Sequence, residues 1–169
     1  YEARELLEVF AAEKAAYLAS RRDVEIMRHF VETQHALCRK LRDSSEETLS
    51  GDDVTAWLEA DVGFHMAMLK AAGNPVILKM VRECHIMSRL LGNFRHILSL
   101  RQISRTWLHH SRILRALRLK NPGRAAISMR LHIQFSFRTA LMHFDSAMAD
   151  GFPPYTHRTV EFVEQGKPQ

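Results

Sequence analysis

The chain has 169 residues, 46% of them hydrophobic, which is enough for one domain with a sizeable core and too apolar for a disordered polymer. Its net charge of +5 permits attraction to a polyanion without establishing it. No apolar run approaches the roughly 20 residues of a bilayer span, and the acidic opening with Glu2, Glu5 and Glu8 does not read as a secretory signal.

In chain order, the first predicted helix runs from Glu2 to Ala19. Leu6, Val9, Phe10, Ala16 and Tyr17 supply its apolar face, and its alanines favour helix and close packing. Arg4 and Glu8, four residues apart, form a candidate ion pair, worth a few tenths of a kcal/mol if exposed. Asp23 is a candidate cap for a second helix reaching Arg42, striped by Ile26, Phe30, Leu37 and Leu41.

After the polar break from Ser44 to Asp53, part of which can be helical, a third helix starts near Asp52 or Asp53 and ends near Gly73. Val54, Trp57, Leu58, Met68, Leu69 and Ala72 mark its inner side, and Asp61 and His65 fall in the same stripe. Gly73, Asn74 and Pro75 stop that helix and start a fourth. Its apolar positions run from Val76 through Ile77, Met80, Val81, Cys84 and Met87 to Leu91, and its end falls between Gly92 and Leu98.

A fifth helix spans Gln102 to Leu119, with Ile103, Trp107, Leu114 and Leu117 inward and His110 among them. Asn121, Pro122 and Gly123 form the next turn, and the last helix runs from Pro122 to Met148 with His132 on its apolar side. The tail, residues 151–169, loses helical periodicity. Pro153-Pro154 gives it an extended start, and Val160 to Val163 is a weak strand candidate. Residues 1–150 therefore read as a single all-α domain.

Four polar residues interrupt the apolar faces: Asp61, His65, His110 and His132. Asp61 and His65 lie one turn apart and can enter one volume. His110 and His132 flank the Asn121 turn and can face each other across an antiparallel helix pair. An aspartate on an apolar face needs a partner, a proton or a metal. One carboxylate and three imidazoles suit a divalent ion such as zinc, nickel, manganese or iron. Each residue taken alone also fits a hydrogen-bonded core position. His109 adjoins His110, though its phase turns it away.

Other signals are weaker. Cys38 and Cys84 read as reduced core thiols of a cytoplasmic protein. Glu32 and His35 match half of a di-iron helix motif without its second half. Arg112, Arg115 and Arg118 share a helix side that reads as a solvated face. No phosphate loop, nucleophile elbow or zincin motif is present. An enzyme would need metal-bound water and a base such as Glu83.

The chain resembles the C-terminal effector-binding domain of the FadR branch of GntR-type bacterial transcription regulators. The likeness is carried by Arg4 to Glu8 with the alanines up to Ala19, and by Asp61-Val62-Gly63-Phe64-His65 followed by Ala71 to Pro75. His110, Ile113, Leu114, Ala116 and Leu117 continue it, as do Pro122 to Ala126 with His132. His109 departs from the acidic residue common in that family.

The resemblance implies an antiparallel bundle of six or seven helices around a central metal and effector pocket. Asp61, His65, His110 and His132 match the positions that ligate zinc or nickel there. The effector it implies is a small organic acid, in a non-enzymatic homodimeric sensor. Operator DNA would be bound only through an N-terminal winged helix-turn-helix domain outside these residues. Arg4 and Arg82 are candidates to grip the acid, with Asn93 and Arg95 at one end of the pocket. A purely structural metal is the competing expectation.

Overall fold

The computed structural model describes residues 1–91 and 98–149, with side chains described for residues 1–86 and 98–142. Its six helices are α1 (Glu2–Leu18), α2 (Arg21–Arg42), α3 (Gly51–Ala71), α4 (Pro75–Leu91), α5 (Leu100–Arg118) and α6 (Pro122–Ala149). The uncertain end of α4, Asn93, Arg95 and the tail with Val160 to Val163 all lie outside the described residues. No described helix is long and apolar enough to cross a membrane.

Local chemistry sets the helix starts. Ser20, rather than Asp23, is the N-cap of α2: its hydroxyl accepts from Asp23 N at 3.2 Å, and the Asp23 carboxylate accepts from Ser20 N at 2.9 Å. This reciprocal pair starts the helix three residues earlier than an Asp23 cap would. Asn74 and Asn121 do the same work for α4 and α6. Their side-chain oxygens accept from Ile77 N at 3.1 Å and from Arg124 N at 2.9 Å. Pro75 and Pro122 follow at the first helical position, where a missing N–H costs nothing. Gly73, at φ +73°, takes the left-handed conformation that ends α3.

Five helices close a ring in the order α1, α6, α5, α2, α3, and α4 packs across α1 and α3. The main core draws on all six helices, with Met27, Phe64, Met68, Ile113, Leu117 and Met129 fully enclosed. A smaller cluster of Leu37, Cys38, Leu41, Leu49, Trp57 and Ile103 fills one end. Gly63 of α3 faces the Phe30 ring of α2, which a Cβ at that position would overlap.

The faces of three helices differ from the sequence expectation, α2 only in that Ile26 is exposed. On α1, Leu6 is 75% and Tyr17 63% exposed, while Arg4, Glu8, Ala11, Ala12, Ala15 and Ala16 face inward. The small alanines let the α1 backbone approach α6 and α3, and that close packing outweighs burial of the larger side chains on the opposite face. On α4, Val76 and Met80 are likewise exposed rather than inward.

Candidate metal centre

Each of the six helices sends at least one polar side chain toward the middle of the bundle: Glu8, beside Arg4, from α1, then Gln34, His65, His85, His110 and His132 in chain order. All of these are buried. Three of them converge. His65 Nε2 lies 3.0 Å from His132 Nε2, and His110 Nε2 lies 3.3 Å from each. Asp61 Oδ1 stands 3.8 Å from His110 Nε2, with its side chain 27% exposed.

The far side of two rings fixes which nitrogen carries a proton. His65 Nδ1 donates to Glu8 Oε2, and His110 Nδ1 donates to Gln34 Oε1 at 2.9 Å. In their neutral forms, both rings so held turn an Nε2 lone pair toward the same point. Lone pairs that close need a donor N–H or a cation among them, and His132, whose Nδ1 has no hydrogen-bond partner among the described residues, meets the first need when its proton sits on Nε2. Protonation is a poor remedy here: burial, with added repulsion from neighbouring imidazoles, pushes His110 and His132 well below the ordinary histidine range.

A metal ion meets the second need. Nitrogens about 2.1 Å from an ion lie about 3.0 Å apart at a right angle and about 3.4 Å apart at a tetrahedral one. The three observed spacings, 3.0, 3.3 and 3.3 Å, fall in that interval. Ligand atoms of Asp61, His65, His110 and His132 all lie within 4.8 Å of one another. His110, not His109, joins this set. His109 is half-buried, with its ring 5.9 Å from that of His132.

Glu8 was not singled out as a site residue by sequence. Its carboxylate takes Arg4 Nε at 2.7 Å on Oε1 and His65 Nδ1 on Oε2, and His85 Nε2 lies 3.5 Å from Oε1. Burial would raise this carboxyl, but His65 and Arg4 outweigh that and hold it well below the ordinary glutamate range. The expected ion pair of Arg4 and Glu8 is present and buried, with Arg4 only 6% exposed. The signal that could have found it is the run of small residues. Ala11, Ala12, Ala15 and Ala16 continue the helix side begun by Arg4 and Glu8.

A cavity of about 170 Å³ opens beside the histidines. Asp61, His85 and His132 line it, together with Arg4, Trp57, Thr106, Phe135, Ser136 and Thr139. Among the described residues the Arg4 guanidinium donates only through Nε, so its terminal nitrogens remain for a ligand in the cavity. Arg82, by contrast, is exposed on α4 and is not part of the cavity wall.

Residues 1–135 match the FCD domain. The chain belongs to that family. The FCD domain is the effector-binding domain of GntR/FadR-type regulators, a regulatory and non-catalytic module. No curated protein matches the chain in sequence. The family match spans all four converging residues and the Arg4–Glu8 pair.

Proposed function

We propose that this FCD domain senses a small organic acid held beside a divalent metal ion. The observation that carries this reading is the siting of Asp61 and His132 in the wall of a cavity that also exposes Arg4. Asp61, His65, His110 and His132 would hold the ion, and zinc or nickel suits an imidazole-rich donor set better than manganese or iron. When bound, the ion supplies a Lewis-acidic point for an oxygen of the ligand.

The chain's own residues do the rest. Arg4 offers two terminal nitrogens to a carboxylate, a planar match that fixes the acid's orientation. Trp57 and Phe135 supply apolar walls, while Thr106, Ser136 and Thr139 offer hydroxyls. The cavity is smaller than the roughly 300–1,000 Å³ of drug-sized pockets, which favours a compact acid. The partial exposure of Asp61 supports a site open to ligand over a closed structural one.

In the intact cytoplasmic regulator, acid binding would shift the balance between arrangements of a homodimer and so alter operator affinity through separate DNA-binding domains. The test is to purify the protein without a metal-affinity tag, measure bound metals, and screen small carboxylates by thermal shift before and after chelation. A metal-dependent shift with one class of acid is the expected result. No stoichiometric metal after reconstitution would overturn the ion site, and metal without any acid-dependent shift would leave a structural ion.

A further inference from the structure

Glu8 joins the two halves of the site. One carboxylate oxygen takes Arg4, which faces the cavity, and the other takes His65, whose opposite nitrogen enters the three-histidine cluster. All three side chains are buried, so charge on one is felt by the next with little screening from water.

We propose that Glu8 is a positioning residue that couples acid occupancy at Arg4 to ion affinity at His65. This rests on the ion-binding reading above and adds its regulation. The sign follows from electrostatics. Arg4 draws on the negative charge of Glu8 and leaves less of it to polarise the His65 N–H. A carboxylate docked on the terminal nitrogens of Arg4 offsets that pull. Glu8 then accepts more strongly from His65 Nδ1, and His65 Nε2 becomes a better donor to the ion. Acid and ion therefore strengthen each other, and the effect is reciprocal. His85 Nε2 stands 3.5 Å from the same oxygen that Arg4 uses. As a neutral donor it can satisfy that oxygen when Arg4 turns toward the acid, without withdrawing a full charge.

A double-mutant cycle read with zinc alone tests this: wild type, Arg4→Met, Glu8→Gln and the double variant, each titrated against a chromophoric chelator. Removing Arg4 should imitate a bound acid and tighten zinc about tenfold, whereas Glu8→Gln should loosen it by about 10–100-fold. In the Glu8→Gln background, Arg4→Met should change zinc affinity by less than about threefold, because the route through Glu8 is gone. Equal tightening in both backgrounds would mean simple repulsion between Arg4 and the ion, and would overturn the proposal. Should Arg4→Met not fold, Arg4→Lys serves in its place: it keeps the charge and loses the Nε contact, so it should tighten zinc only where Glu8 is present. Absence of zinc binding in the wild type would instead overturn the ion site itself, so the two failures are distinct.

Discussion

The central residues differ in what each contributes, and substitutions should separate those roles. Removing a ligand, as in Asp61→Ala or His132→Ala, is expected to cost more ion affinity than removing an orienting partner, as in Gln34→Ala. The orienting effect is worth about 10–100-fold. Competition with a chelator ranks the three, and a Gln34→Ala loss equal to that of His132→Ala would argue against ligation by His132. Acid sensitivity has a definite sign in the chelated protein. His110 and His132 are held well below their ordinary value of 6.5, so on acidification the unfolded chain takes up protons first. Stability is then lost as pH falls below 6.5. Glu8 is held well below 4.5, and its contribution is lost in turn as pH falls below that value. Melting temperatures measured in chelator should therefore fall steadily from pH 7 toward pH 4. A rise over that range would contradict neutral burial of the two imidazoles.

At the scale of helices, capping and close approach make separable contributions. Ser20→Ala removes one half of the reciprocal cap on α2 and should cost about 1 kcal/mol, seen as a shifted denaturant midpoint with unchanged slope. Gly63→Ala drives a methyl into the Phe30 ring between Asp61 and His65, at a cost of about 1–3 kcal/mol. Pairing it with Phe30→Leu should recover part of that loss, and a strictly additive double variant would show that the ring is not the obstacle. These elements also show what was readable in the sequence. Turn residues at Asn74-Pro75 and Asn121-Pro122 carry their own chemistry, so the helix starts there were legible. The inward phase of α3 and α5 was legible because Trp57, Met68, Ile103 and Leu117 mark it. On α1 the phase was misleading. Leu6, Phe10 and Tyr17 outweigh four alanines in hydrophobicity, whereas the packed bundle rewards backbone proximity. Glu8 was missed for the same reason. An i,i+4 Arg–Glu pair carries no mark of burial unless the alanine side is taken as the inner one.

For the molecule as a whole, an ion on Asp61, His65, His110 and His132 would tie α3, α5 and α6 together at the centre of the ring. An ion that binds only the folded state, at a hundred times its dissociation constant, adds about 2.7 kcal/mol. For a domain of this size that corresponds to roughly 5–11 °C in melting temperature. Calorimetry of zinc-loaded and chelated protein checks this, and identical transitions would show that the ion does not engage the folded bundle.

The six-helix origin of the central side chains has a further consequence, for the order of folding. Glu8 meets His65 across 57 residues, and His65 meets His132 across 67. No local stretch of chain can assemble the three-nitrogen face, since each contact needs a long loop closed first. An ion held there would need α6 already docked against α1 and α5, which places its binding late in folding. Interactions that form after the barrier slow unfolding and leave the folding rate almost unchanged. Zinc should thus lengthen the lifetime of the folded domain without hastening its formation.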